Sequence, residues 1–180
     1  NFQNYLTGQL LPKIDAQYRT DNNRRALLGH SFGGYFVLYS LLNQLQNKTN
    51  HFQTFISASP TLWYNNFFLN QLPEQLAKSE KQLGIFLSVG GMEDSTWSIT
   101  PVKNLTVEIQ KRNIKGHSFK SRIYNHLDHL DVAVLSFTKG LQESLRVRDY
   151  LYPESLPSDE IDAMGGGQKF SELPDRAITS

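Results

Sequence analysis

The sequence contains no cysteine, and this absence excludes several kinds of chemistry at once. A chain without thiols forms no disulfide, no thiolate metal site and no covalent intermediate on cysteine. No other pattern predicts a metal or a cofactor. The lack of disulfides does not separate cytoplasm from periplasm, so the compartment stays open.

A charge excess of either sign and long hydrophobic runs are absent too. Lys and Arg number 18 against 17 Asp and Glu, a formal net charge of +1. This balance gives no reason to expect nucleic acid or an anionic membrane as partner. The longest apolar stretch, around Phe36 to Leu42, is far shorter than the roughly 20 residues of a membrane span. We therefore expect a soluble protein that acts on a small, mostly uncharged molecule.

The sequence does contain the composition of a packed core, with 39% hydrophobic residues in 180. Short apolar segments alternate with segments of helical spacing, which predicts a mostly parallel sheet with helices on both faces, an α/β fold. The predicted strands are 25–29, 54–58, 84–89 and 119–123. The predicted helices are a first helix from Phe2 with a kink at Pro12, a helix through 35–42, and helices over 65–78 with a break at Pro73, 102–114 and 132–145.

The end of the chain departs from this alternation. From about Tyr152 onward it consists of prolines, acidic residues and the run Gly165-Gly166-Gly167. Such a composition is typical of a linker or a loosely packed arm. We predict that residues 1–150 belong to one α/β domain and that residues 151–180 form a flexible or loosely packed tail without chemistry.

A glycine-flanked serine follows the first predicted strand. Gly29-His30-Ser31-Phe32-Gly33 fits the pattern Gly-x-Ser-x-Gly, in which the serine lies on a sharp turn between a strand and a helix. We expect Gly29 and Gly33 to supply the room for this turn, and the Phe32 N–H to stabilise an oxyanion. His30 is interpreted as structural, since neighbours on a sharp turn point apart. The pattern favours Ser31 as a nucleophile over a buried serine in a glycine-rich turn.

Five histidines compete for the role of general base. His30 is too close to the nucleophile, His51 precedes the second strand, and His117 lies at the wrong end of the fourth. Because the carboxyl ends of the strands build the site in open α/β sheets, the base should follow the fourth strand. His126 and His129 remain.

His129 is favoured over His126 because it lies just ahead of the last predicted helix, where a loop residue can be held rigidly. The acid of a Ser/acid/His arrangement should follow a strand between nucleophile and base. Glu93 and Asp94 both occupy such a turn after the third strand. Only one of two adjacent side chains is expected to face the imidazole.

Together these segments resemble the "Putative esterase" family of α/β-hydrolases, which includes the esterase D type and bacterial siderophore esterases that open catecholate trilactones. The resemblance runs from about Phe2 to Leu145. Its most specific segments are Leu10-Leu11-Pro12-Lys13-Ile14-Asp15, Leu28-Gly29-His30-Ser31-Phe32-Gly33-Gly34, Ser59-Pro60-Thr61-Leu62-Trp63, and His129-x-x-Val132 leading to Gly140-Leu141.

The resemblance implies a serine esterase that works through an acyl-enzyme, with Ser31 as nucleophile and His129 as base. Glu93 matches the family's Gly-x-x-Glu turn, although siderophore esterases of this type can work with a Ser/His dyad alone. Asp131 stands where the family commonly has a serine. The implied substrate is a small-molecule ester, with a siderophore-type lactone as the narrower form. The alternatives are an acyltransferase of the same superfamily and a non-catalytic hydrolase-like binding domain.

Two further expectations concern the surroundings of the nucleophile. His30 and Trp63 are candidate substrate contacts, although the aromatic residues around Trp63 fit the core of a packed helix equally well. Family members have several strands before the first helix, and a loop after one of them supplies a second oxyanion donor. A chain that starts at Asn1 is thus expected to lack the N-terminal strands, to leave a sheet edge unpaired, and to be poorly stable and weakly active in isolation.

Overall fold

The computed structural model describes residues 1–112, 114 and 116–145. Four parallel strands form one sheet in the order β1-β2-β3-β4. They are β1 (Ala26–His30), β2 (Thr54–Ala58), β3 (Leu83–Gly90) and β4 (His117–Tyr124). Spatial order thus follows chain order, and each connection leads to the neighbouring strand. The carboxyl ends of all four strands lie at one edge of the sheet, where the predicted site residues follow β1, β3 and β4.

Helices precede β1, connect the strands and follow β4. They are α1 (Phe2–Tyr5), a π-helical segment Leu6–Leu10, α2 (Leu11–Gln17), α3 (Phe32–Gln46), α4 (Tyr64–Phe67), a 3-10 segment Phe68–Gln71, α5 (Leu72–Ala77), a π-helical segment Ser95–Ile99, α6 (Thr100–Lys111) and α7 (Val132–Leu145). Pro12 lies in the first turn of α2, where its missing N–H costs no hydrogen bond. No helix in the described part of the chain is long and apolar enough to cross a membrane.

Helices pack on both faces of the sheet, as the sequence predicts. Phe55 and Leu87 belong to one buried core together with residues of α3, α5 and α6. Ile56 comes next to Phe55 in the chain and therefore points to the opposite face. On that face a Cβ on Gly140 of α7 would lie 2.7 Å from the Ile56 side chain. The α/β prediction is confirmed.

One predicted helix is wrong. The segment 65–78 is not continuous, because Asn65, Asn66 and Phe67 have φ angles of 50°, 52° and 56°. Left-handed residues cannot continue a right-handed helix. Pro73 lies in the first turn of α5 and so marks where a helix starts. The strand over 54–58 and the helix over 132–145 are found at the predicted residues, and the other predicted elements are present with shifted bounds.

The chain divides into two units, residues 1–140, which are compact, and residues 141–180. The first unit holds the four strands and also Ser31, Glu93 and His129. In the second, residues 141–145 continue α7, and the tail predicted over 151–180 lies outside the described residues. In the described part of the chain β1 pairs with β2 alone and is half-buried along its length, whereas β2 is buried throughout.

Candidate active site

Ser31 lies on a strained turn between β1 and α3. Its φ and ψ angles are 58° and −120°, a conformation that side-chain-bearing residues rarely adopt. The backbone around it is anchored: the Ser31 N–H donates to the Ala58 carbonyl (3.0 Å), and the Ser31 carbonyl accepts from the N–H groups of Tyr35 (3.0 Å) and Thr61 (3.3 Å). These bonds hold the serine at the carboxyl edge of the sheet.

The glycines around Ser31 differ in whether a side chain would fit at their positions. A Cβ on Gly29 would lie 2.2 Å from the Gly33 carbonyl oxygen, and one on Gly34 would lie 2.8 Å from that of Ala58. A Cβ on Gly33 would meet nothing within 4 Å. The expectation that the turn needs room at both flanking glycines is therefore right for Gly29 and wrong for Gly33. The second crowded position is Gly34, which the five-residue pattern does not specify.

A continuous hydrogen-bond relay links Ser31, His129 and Glu93. His129 Nε2 lies 3.1 Å from Ser31 Oγ, and His129 Nδ1 lies 2.8 Å from Glu93 Oε2. The Glu93 side chain is 3% exposed and that of His129 is 44% exposed. The carboxylate is thus buried behind an imidazole that solvent can reach.

The second oxygen of Glu93 is also occupied. Glu93 Oε1 accepts the Gly90 N–H at 2.8 Å and the Ser59 hydroxyl at 2.5 Å. These donors compensate for the burial of a charged group. Sequence patterns assign no role to Ser59, although it stands at a strand end and opens the family-like segment Ser59-Pro60-Thr61-Leu62-Trp63. A Cβ on Gly90 would lie 2.5 Å from the Leu127 carbonyl oxygen and 2.8 Å from that of Asp128, so the close approach of the loop that carries His129 needs a glycine here.

The structure places the competing residues elsewhere. Asp94 caps the π-helical segment, since its side chain accepts the N–H groups of Thr96 (2.8 Å) and Trp97 (2.7 Å). His126 is exposed on the loop after β4. Of Glu93 and Asp94, it is therefore Glu93 that joins the hydrogen-bond relay to Ser31. Of His126 and His129, it is His129.

The loop that carries His129 is held by its neighbour Asp128. The Asp128 carboxylate accepts the N–H groups of Leu130 (2.8 Å) and Asp131 (3.0 Å). The hydrogen bonds from Asp131 and Leu130 lower the pKa of Asp128, because they favour its charged form. The side chain thus acts as a clamp on the turn between His129 and α7.

His30 packs against the same loop. Its Nε2 lies 2.6 Å from the His129 carbonyl oxygen, and the two imidazole rings are 4.5 Å apart. This contact fits the structural interpretation of His30. Its assignment as a substrate contact stays a prediction.

An aromatic surface lies beside Ser31. Phe32 is 55% exposed and meets Trp63 and Tyr64 edge to face, with ring centroids 6.1 Å and 5.6 Å apart. Trp63 itself is 42% exposed, so it is not part of a helix core. The Phe32 N–H occupies the first position of α3, where a helix supplies no carbonyl partner. An apolar contact surface and a backbone donor therefore adjoin Ser31.

The model of the "Putative esterase" family matches residues 1–141. The ferri-bacillibactin esterase BesA of Bacillus subtilis is 32% identical over 96 residues, which cover 51% of this chain and 32% of that protein. The apo-salmochelin esterase of Escherichia coli is 40% identical over 62 residues, 34% of this chain and 18% of that protein. The chain thus matches about a third or less of these relatives' lengths.

Solved structures of similar proteins superpose on this chain. The BES protein of Bacillus cereus superposes with a TM-score of 0.69 at 27% identity, over 79% of this chain and 54% of that one. An IroE-like serine hydrolase from Shewanella oneidensis superposes with a TM-score of 0.67 at 22% identity, over 94% of this chain and 55% of that one. These similarities confirm the predicted α/β-hydrolase fold.

Proposed function

The chain belongs to the "Putative esterase" family, and from this premise we propose that it hydrolyses carboxylic esters with Ser31 as the nucleophile. The observation that carries the proposal is the relay from Ser31 Oγ through His129 to the buried Glu93 carboxylate. This is the arrangement that activates a serine hydroxyl, which is a weak nucleophile by itself.

The residues divide the reaction between them. Ser31 Oγ attacks the ester carbonyl carbon while His129 Nε2 takes its proton, and the Phe32 N–H donates to the oxyanion of the tetrahedral intermediate. Glu93 accepts the hydrogen bond from His129 Nδ1 and stabilises the imidazolium. The intermediate then collapses: His129 returns the proton to the departing alkoxide, and an acyl-enzyme remains on Ser31. Water, deprotonated by His129, attacks the acyl carbon, and the second tetrahedral intermediate collapses to release the acid while His129 returns the proton to Ser31 Oγ.

The narrower proposal is that the ester is a siderophore-type lactone. Two of the matching proteins bear the names ferri-bacillibactin esterase and apo-salmochelin esterase. The exposed rings of Phe32 and Trp63 beside Ser31 support an aromatic acyl group, since such rings favour stacked or edge-on contacts.

Hydrolysis is proposed over acyl transfer because the matching proteins bear the names of esterases. The His129 side chain is 44% exposed, so water can reach the imidazole that must activate it. An acyltransferase would share the relay but would need an alcohol in place of water. Product analysis with and without an acceptor alcohol separates the two reactions: hydrolysis predicts free acid in both, whereas transfer predicts a new ester that consumes the acceptor.

The proposal is tested by the hydrolysis of p-nitrophenyl butyrate by the full chain. Ser31→Ala should abolish turnover, while the control Ser95→Ala should leave it unchanged because Ser95 is an exposed residue outside the relay. Turnover that survives Ser31→Ala in a folded protein would contradict the assignment. The same assay tests the alternative of a non-catalytic binding domain, which would show no Ser31-dependent turnover.

A further inference from the structure

The segment that follows β2 contacts both ends of the relay. The Ala58 carbonyl accepts the Ser31 N–H, and the Thr61 N–H donates to the Ser31 carbonyl. Between these two residues, the Ser59 hydroxyl donates to Glu93 Oε1. One short stretch of chain thus holds the backbone of the nucleophile and the side chain of the acid, which are far apart in sequence.

Ser59 is tightly fixed in this segment. It is 3% exposed, and its N–H donates to the Ser88 carbonyl of β3 at 2.8 Å. Its φ angle is 41°, in the left-handed region that favours glycine. A glycine would adopt this backbone with less strain but would lack the hydroxyl. The hydroxyl is therefore the feature that a serine adds at this position.

The contact determines how Glu93 meets the base. The terminal torsion of a glutamate is broad, so the carboxylate plane is not fixed by the side chain's own preference. With the Ser59 hydroxyl and the Gly90 N–H both on Oε1, the other oxygen, Oε2, is directed to His129 Nδ1. Without Ser59 the carboxylate keeps a single donor on Oε1 and can rotate away from the imidazole.

We propose that Ser59 is a positioning residue for ester hydrolysis, which acts by holding the Glu93 carboxylate in the orientation that His129 requires. The inference rests on the proposed function of Ser31, His129 and Glu93. It predicts a loss in kcat with little change in KM, because Ser59 is buried beneath the relay and does not line the aromatic surface that we assign to the substrate.

The matched control is Ser136→Ala. Ser136 is fully buried, and its hydroxyl lies 2.7 Å from the hydroxyl of Ser88, so this variant also removes a buried serine hydrogen bond. Its partner is not in the relay. With p-nitrophenyl butyrate we expect Ser59→Ala to lower kcat by about tenfold, the value of a hydrogen bond to a charged group, with KM unchanged. Ser136→Ala should leave both constants unchanged.

A double-mutant cycle with Glu93→Ala tests whether Ser59 affects kcat through Glu93. If Ser59 acts through Glu93, Ser59→Ala should cost nothing further in the Glu93→Ala background. An equal kcat loss in both backgrounds would overturn the inference, and so would unchanged kcat in the single variant. Thermal unfolding is measured for each protein. If Ser59→Ala does not fold, Ser59→Gly takes its place, because glycine tolerates the positive φ and lacks the same hydroxyl.

The two proposals fail in different ways. If Ser31→Ala stays active, the proposed function fails and Ser59 has no relay to support. If Ser31 and His129 are required but Ser59→Ala or Ser59→Gly retains full kcat, only the role of Ser59 is refuted.

Discussion

His129 Nδ1 lies 2.8 Å from Glu93 Oε2, and the Glu93 side chain is 3% exposed. A buried carboxylate in this position orients the imidazole and stabilises the positive charge that forms on it when Ser31 is deprotonated. In the sequence Glu93 competes with Asp94 for the role of acid, and His129 competes with His126 for the role of base. Substitutions at these positions therefore test the arrangement.

Replacing the acid should cost less than replacing the base. Glu93→Gln leaves His129 able to take the Ser31 proton and removes only charge and orientation, so its kcat loss should be smaller than that of His129→Ala. Asp94→Asn is the matched control, because asparagine can still cap the π-helical segment. Ester-hydrolysis kinetics measure all three. A larger loss in Asp94→Asn than in Glu93→Gln would show that the wrong neighbour has been assigned.

The two histidines of the loop after β4 should separate clearly. His129→Ala should lower kcat on the order of 10³-fold or more, as expected when the base of an acyl-transfer site is removed. His126→Ala should have little effect, because His126 is exposed on the same loop. Circular dichroism of both variants checks that they are folded, because a collapsed loop would mimic a catalytic loss. A dead His126→Ala beside an active, folded His129→Ala would refute the assignment.

Gly29 and Gly33 of the elbow should respond differently to alanine. Gly29→Ala places a Cβ 2.2 Å from the Gly33 backbone, so we expect a loss of about 3 kcal/mol in the free energy of unfolding. Gly33→Ala meets open space in the first turn of α3 and should be neutral, or stabilising by up to about 1 kcal/mol from helix propensity. Urea unfolding measures both. Equal destabilisation by the two substitutions would contradict the crowding argument.

The Asp128 clamp predicts an acid-dependent loss of stability. Hydrogen bonds from Asp131 and Leu130 lower the pKa of folded Asp128, so its contribution is present above the unfolded value of about 3.9 and is lost as pH falls through the lower folded value. Asp128→Ala should therefore be less stable than the wild type at pH 7, and the difference should shrink below about pH 4. Thermal unfolding across this range tests it, and a difference that stays constant with pH would exclude the carboxylate as its origin.

The sequence predicts most of the fold because strand and helix periodicities are local. The strand over 54–58 is found at the same residues, since a short apolar run closed by Ser59-Pro60 specifies it. The helix over 65–78 is wrong because apolar spacing does not reveal the left-handed residues Asn65 to Phe67. Asn visits the left-handed region more readily than most residues, but ordinarily as a single residue, so a run of three is not expected from the sequence.

The site divides in the same way. A motif predicts Ser31 as the candidate nucleophile, and chain order predicts that the acid and then the base follow it. The choice of Glu93 over Asp94 depends on which side chain turns inward. Asp94 caps the π-helical segment, whereas the Glu93 side chain is buried against His129. Gly34 and Ser59 could not be predicted, because each is defined by a contact with a residue distant in sequence.

The central claim is that Ser31 is the activated nucleophile, and covalent labelling tests it most directly. A fluorophosphonate probe reacts with a serine whose hydroxyl is deprotonated by a neighbouring base. The full chain should take up one label, peptide mass mapping should place it on Ser31, and His129→Ala should abolish labelling in a folded protein. A label on any other serine, or labelling of Ser31 that persists without His129, would contradict the account.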